Sequence, residues 1–286
     1  MQRSDFRFFH RLRVRWAEVD MQKIVFNAHY LMYFDTAIAD YWRALALPYE
    51  EAMHSLGGDL YVRKATIDFR ASARMDDVID VGMRCARIGT SSMTFEGGLF
   101  RQGEFLVGCE LVYVFADPAT QTSKPVPASL RAILEGFEAG ETMRAIDTGD
   151  WATLGEGAAA LRRAVFIDEQ KVPEAMEWDE HDAAVPHVVV RNRLGQAIAT
   201  GRLLPAQDGR SMIGRIAVHR ALRSGGHGVA VVQALEAAAR ARGDAEIALH
   251  AQRSAERFYE RLGYAAHGEP FVEADIPHIE MRRALR

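Results

Sequence analysis

The sequence has only two cysteines, Cys85 and Cys109. They lie far apart in strand-like context and read as reduced core residues rather than a bridge, which sets the chain apart from disulfide-built secreted domains. No apolar run approaches the roughly 18 residues that a membrane span needs. The opening MQRSDFRFFHRLRVRW is too charged for a signal sequence, so a cytoplasmic protein is expected. Excess charge of either sign is missing as well. The 35 Lys and Arg stand against 39 Asp and Glu, a formal net charge of −4, so neither nucleic acid nor an anionic membrane is expected as a partner. Internal repeats and low-complexity tracts are absent. There is no Gly-x-Ser-x-Gly, which argues against a serine nucleophile. His181, Asp179 and Asp182 are close in sequence but lack a zinc spacing, and no metal is expected.

What remains is an ordinary globular composition, 49% hydrophobic and 26% charged over 286 residues. That length is comfortable for two domains of about 140 residues each. In the first half FFHRLRVRWAE alternates like a strand. HYLMYFDTAIADYWRALAL follows, with Leu31, Phe34, Ile38, Tyr41, Trp42 and Leu45 at helical spacing. Four strand-like runs come next (YVRKATIDFRAS, DVIDVGMRCARIG, SSMTFEGGLFRQ, EFLVGCELVYVFAD), then a short helix in PVPASLRAILEGFE. The pattern changes in FEAGETMRA, residues 137–145, giving expected domains 1–138 and 142–286. The second half reads as a helix from Trp151 to Phe166, strands at HVVVRN, QAIATGRLL and SMIGRIAV, a glycine turn with its helix, a strand AEIALHA, a helix SAERFYERLGY and a last strand IEMRRAL. Helices alternating with strands predict a mixed α/β sheet.

The turn RSGGHG, Arg223 to Gly228, is built to hold an anion. Gly225, Gly226 and Gly228 leave backbone N–H groups unobstructed and permit positive φ. The helix start behind them, through His227 and Val229, adds free N–H groups and partial positive charge. Gly243 fits as the residue that ends that helix. Without Lys-Ser/Thr after the last glycine this is not a triphosphate loop. Its place after the third expected strand, not the first, counts against a dinucleotide site.

Arg223, Ser224, Gly225, Gly226, His227 and Gly228 together resemble the acetyl-CoA pyrophosphate loop of GNAT acyltransferases. AVFIDEQKVPEAMEWDEHD, GRIAV, LHAQ, FYERLGY and GEPFVEADIPHIEM extend the resemblance over nearly the whole second half, to the ElaA-type branch. The resemblance implies that Ile216, Ala217 and Val218, on a splayed strand, bind pantetheine and acyl carbonyl through their backbone, and that Tyr259 protonates the departing thiolate. A donor is needed there because the sulfur gains charge as an amine attacks. For the base that deprotonates the amine, Glu169 is the first candidate and His250 the second, with an exposed surface carboxylate as the alternative for Glu169. Gln252 departs from the Asn common at its position but keeps an amide.

In the first half, Asp20 lies between the first strand and the long helix. From spacing alone it reads as a turn cap. With D-x-x-x-I-V-F-N-A-x-Y, the helix and RIGTSSMTFE, the stretch from about Arg11 to Val126 resembles the YbgC/FadM branch of the 4-hydroxybenzoyl-CoA thioesterase family, the hotdog fold. The resemblance implies Asp20 as base or nucleophile on a thioester, and Asn27, Ala28 and His29 as the helix start that binds its carbonyl. It also puts Ser91 and Ser92 at a strand start that contacts CoA. Two departures stand out. Lys23 replaces a usual Gly, whose positive φ a lysine is not expected to copy, and Asn27 replaces a frequent His.

The expectation is therefore an α+β chain, an N-terminal hotdog followed by a C-terminal mixed α/β GNAT domain. It would be a bifunctional enzyme using CoA or acetyl-CoA as substrate or product, with an acyl-CoA thioester and an amine acceptor as partners. A homodimer or homotetramer through the hotdog half is expected, since an unpaired edge strand would otherwise be exposed. The alternative is a hotdog half that only dimerises or senses acyl-CoA beside an active GNAT half.

Overall fold

A computed structural model describes residues 1–285, and the chain divides into two compact units, Met1–Met143 and Arg144–Arg286.

The first unit is one long helix against an antiparallel sheet. Its elements are β1 (Phe8–Arg13), α1 (Asn27–Ala44), α2 (Tyr49–Leu56), β2 (Asp59–Phe69), β3 (Val78–Ile88), β4 (Ser92–Arg101), β5 (Glu104–Ala116) and α3 (Ala128–Ala139). The sheet order is β1-β3-β4-β5-β2, antiparallel throughout. The three- and four-residue spacing of α1 buries Tyr30, Tyr33, Phe34, Ala37, Ile38, Tyr41 and Trp42. Full burial of a side chain such as Phe34 contributes about 1.5–3 kcal/mol. Gly97 makes room for it, because a Cβ there would stand 2.6 Å from the Phe34 ring. Tyr41 donates its hydroxyl to Glu138 Oε1 at 2.5 Å. The same oxygen accepts the Cys85 N–H at 2.9 Å, which fastens α3 to both helix and sheet. Cys85 and Cys109 are free, and burial pushes each thiol up to about 12.

The second unit holds β6 (Arg144–Gly149), α4 (Trp151–Arg162), α5 (Glu174–Glu177), β7 (His187–Asn192), β8 (Ala197–Leu203), β9 (Arg210–Val218), α6 (His227–Arg242), β10 (Glu246–Gln252), α7 (Glu256–Arg261), β11 (Ala265–Glu273) and β12 (Ile276–Ala284). The order is β11-β12-β10-β9-β8-β7-β6. Only the central β9–β10 pair is parallel. Asp150 caps α4 by accepting the Thr153 N–H at 2.9 Å. The helix then widens into a π-helical stretch, Arg163–Glu169, a form that concentrates at functional sites. Gly243 ends α6 at φ 91, as its position in the sequence predicts.

A buried ion network anchors the chain between α4 and β7. Arg162 is 1% exposed and donates to Glu177 Oε1 at 2.5 Å, Asp182 Oδ1 at 2.7 Å and the Glu177 carbonyl at 2.9 Å. Arg202 grips Asp182 and Asp179 from the sheet side, and Arg215 reaches the Met176 and Glu177 carbonyls. These arginines take up Asp179 and Asp182. Among the described residues no group of three or more His, Cys, Asp or Glu stands ready for a metal ion. No helix among them is long and apolar enough to cross a membrane.

Four elements differ from the sequence expectation. α2 lies between Pro48 and a left-handed Gly57, but eight residues are too few to establish a helical period. β6 mixes half-buried and exposed positions without a regular alternation or a strong apolar face. α5 is a single turn. β11 is an exposed edge strand whose register shifts between His267 and Phe271, which erases its alternation.

Candidate functional site

In the second unit, β9 and β10 pair in parallel only from Glu246↔Arg210 to Leu249↔Ile213. Beyond that the strands part. A register shift opposite Thr200–Arg202 accompanies the parting, with Arg215 held at φ 53, so β9 bulges and its backbone leaves the ladder. The gap is a cleft of about 430 Å³, lined among others by Phe166, Gln170, Ile216, His250, Gln252 and Tyr259. The Gln252 amide donates to Gln170 Oε1 at 3.0 Å and ties the β10 wall to the chain after the π-helical stretch.

Tyr259 is 8% exposed. Its ring is held edge-on by Phe258 at 4.8 Å and Tyr264 at 5.9 Å. Burial pushes the phenol up to about 12, so it is protonated at neutral pH and available as a donor. His250 lines the same cleft, with Nδ1 3.4 Å from Glu273 Oε2 and its ring 4.8 Å from Phe271.

The RSGGHG turn holds Ser224 at φ 69 and Gly226 at φ 78. α6 begins behind it with no side-chain cap, which leaves first-turn N–H groups from His227 to Val229 for an outside acceptor. Gly225 donates its own N–H to the Leu222 carbonyl at 3.2 Å. The His227 ring does not face outward. It is 5% exposed, with Nδ1 3.3 Å from Arg144 Nη1. Burial, and secondly the Arg144 charge, lowers its pKa to about 4.

The expected residues are thus only partly assembled in the cleft. The Ile216 side chain lines it and the Ala217 side chain turns to the core against Leu161 and Val165, while the role expected of this strand is a backbone one; the Val218 carbonyl accepts from Arg223 Nε at 3.3 Å. Glu169 is not among the lining residues. Its carboxylate receives both forked donors of Arg223, at 2.6 and 2.7 Å. Arg223 first, with Arg220 and His219 behind it, keeps that carboxyl below the usual range. A carboxylate so paired is a poor proton acceptor. Of the two candidate bases, His250 lines the cleft and Glu169 does not. Arg144, Arg215 and Glu273 escaped the sequence reading, because only tertiary packing brings them to the loop and cleft.

In the first unit, Asp20, Gln22, Phe26, Asn27, Tyr30 and Phe69 help to line a shallow cleft of about 540 Å³. Asp20 caps its own turn, accepting the Gln22 N–H at 2.8 Å. Its carbonyl accepts the Lys23 N–H at 2.9 Å. Lys23 adopts φ 63, a correction to the expectation that lysine does not copy the glycine's conformation. The first turn is held from outside, since Phe26 donates its N–H to the Glu18 carbonyl and Val25 to the Ala73 carbonyl, both at 2.9 Å. Buried Glu18 in turn accepts from Tyr33 Oη at 2.7 Å.

Helix α1 starts there without a side-chain cap, next to Asn27 and Ala28. The His29 N–H is already given to the Phe26 carbonyl at 2.9 Å, and its half-buried ring packs edge-on against Phe26. Ser91 and Ser92 do not line this cleft. The Ser91 carbonyl accepts the Phe115 N–H of β5 at 2.9 Å, and the Ser92 carbonyl accepts the Gly89 N–H at 2.7 Å across the β3–β4 turn.

A helix-wrapped antiparallel unit and a mixed sheet split beside a glycine turn define the chain as a hotdog domain followed by a GNAT domain. Residues 152–285 match the family model of the acetyltransferase (GNAT) domain, and residues 22–107 match that of the thioesterase superfamily. An uncharacterized N-acetyltransferase of Bacillus subtilis (strain 168), YjcF, is 36% identical over 124 residues, which is 43% of this chain and 87% of that protein. Through its second half, the chain belongs to the GNAT acetyltransferase family. A putative esterase of Aquifex aeolicus (strain VF5) is 27% identical over 95 residues, 33% of this chain and 73% of that protein. The structure of a thioesterase from Thermus thermophilus complexed with coenzyme A and Zn is similar with a TM-score of 0.42 at 24% identity, covering 47% of this chain and 97% of that one.

Proposed function

We propose that the protein is a bifunctional acyl-CoA enzyme. Its first domain hydrolyses an acyl-CoA thioester and its second transfers an acetyl or acyl group from CoA to an amine. The observation that carries the reading is the parting of β9 from β10 beside the glycine turn, with Tyr259 in the resulting cleft. On this reading the pyrophosphate rests on the uncapped start of α6 and the acyl carbonyl lies along β9 near Ile216. The amine enters from the His250 side. His250, held near Glu273, takes the ammonium proton. The free amine attacks the carbonyl, Tyr259 gives its proton to the sulfur as the C–S bond breaks, and the second proton of the attacking nitrogen returns to the phenolate as the neutral amide forms. The kinship with ElaA-type proteins belongs to the same proposal.

In the first domain Asp20 and the open start of α1 share one cleft. The helix N–H groups polarise the thioester carbonyl, while Asp20 attacks it or activates water. This follows the YbgC/FadM pattern. A dimer through β2 completes the reading. That strand is an eleven-residue sheet edge with Tyr61, Val62 and Phe69 exposed.

The test gives the full chain a panel of acyl-CoAs, with and without candidate amines, while thiol release and amide formation are followed separately. Asp20→Ala is expected to lower hydrolysis by about 100-fold or more and leave transfer intact, and Tyr259→Phe to do the reverse. Hydrolysis undiminished in Asp20→Ala removes Asp20 from the mechanism. Transfer undiminished in Tyr259→Phe removes Tyr259.

A further inference from the structure

The Glu169–Arg223 pair has no part in the reaction proposed above, yet it stands at the mouth of the cofactor loop. Arg223 is the first residue of RSGGHG. Both its terminal nitrogens go to Glu169, at 2.6 and 2.7 Å, and its Nε goes to the Val218 carbonyl at 3.3 Å. The side chains are 40% and 32% exposed, so solvent and ligand reach the pair. The carboxylate also feels Arg220 and His219, both in the segment that leads from β9 into the turn. The Arg220 and Arg223 guanidiniums therefore gather where the chain leaves β9, and the Glu169 carboxylate faces them. The loop that follows is fitted to a second anion, the pyrophosphate of a CoA thioester. Two anions on one guanidinium fork compete, because the fork presents its paired donors to one planar or tetrahedral oxyanion at a time.

We propose that Glu169 is an internal counter-anion for the cofactor loop, holding Arg223 in the free protein and giving it up to the pyrophosphate when a CoA thioester binds. This rests on reading RSGGHG as the pyrophosphate loop. It gives Glu169 a positioning role, exerted through Arg223, in place of the base role expected from sequence. The exchange breaks and forms only hydrogen bonds and ion pairs. Glu169 closes the π-helical stretch that carries Phe166, and Gln170 follows it, both in the acceptor cleft wall. Release of the fork therefore frees the end of the segment that borders the acceptor.

The experiment measures binding of CoA, and separately of inorganic pyrophosphate, to the full chain by titration calorimetry over a series of salt concentrations. Wild type is compared with Glu169→Gln, Arg223→Gln and the double variant. The fold is checked by circular dichroism. Glu169→Gln keeps the shape of the side chain and removes its charge. It is expected to tighten CoA binding about threefold to fivefold at low salt, to tighten pyrophosphate in the same sense, and to lose the gain as salt rises. Arg223→Gln is expected to weaken CoA, and adding Glu169→Gln to it to change nothing further. CoA binding that is unchanged or weaker in Glu169→Gln overturns the counter-anion role while leaving the loop assignment standing. A gain from Glu169→Gln that persists without Arg223 overturns it too. A folded wild type that binds neither CoA nor pyrophosphate overturns the loop assignment together with it.

Discussion

At the scale of single residues, the informative positions are those where side chain and backbone want different things. Lys23 holds φ 63 where a β-carbon costs about 1–2 kcal/mol. Its N–H bond to the Asp20 carbonyl keeps the turn that presents Asp20. Lys23→Gly is therefore expected to raise stability by about 0.5–1 kcal/mol, the relief of strain being partly offset by glycine's larger unfolded-state entropy. Chemical denaturation checks this, and a less stable variant would show that the lysine side chain supports the turn. The residue scale was also where sequence spacing was least dependable. Asp20 and Asn27 do share a cleft. Strand alternation sends the Ala217 side chain to the face opposite Ile216, which leaves the role expected of Ile216, Ala217 and Val218 to their backbone.

At the scale of elements, α6 illustrates how a helix start can be both a site and a liability. His227 is its first residue, sealed inward beside Arg144. Above about pH 6.5 the imidazole is neutral in the folded and unfolded chain alike. As pH falls, the unfolded chain takes up the proton first, because burial lowers the folded value to about 4. Stability is thus lost progressively from about pH 6.5 down to about 4, by on the order of 3 kcal/mol. Urea midpoints measured across that window are expected to fall more steeply for wild type than for His227→Gln. Parallel curves would mean that the ring is protonated in the fold. Most elements were legible in the sequence because an apolar period runs through them, as in α1 and in the β3–β4–β5 meander. β6, β11 and the short helices were not, since they bury little and their contacts come from distant chain. The splay of β9 from β10 was legible only through resemblance, as no local period encodes where a ladder stops.

For the whole molecule, the unpaired face of β2 is the feature to explain. Eleven residues of strand edge, with Val62 and Tyr61 uncovered, invite pairing with another copy. Light scattering is expected to give an even oligomer for wild type, and Val62→Lys to shift it toward monomer. A wild type that stays monomeric at high concentration sinks the β2 dimer. The two compact units divide between Met143 and Arg144, within FEAGETMRA.

The two cysteines have a consequence for a protein whose proposed chemistry liberates a thiol. Both are held near 12 by burial, so almost no thiolate forms on the protein near neutral pH. Mixed disulfides with released CoA therefore have no ready attacking group on the polypeptide. In a colorimetric assay with a thiol reagent, the colour reports product rather than the protein's own sulfur.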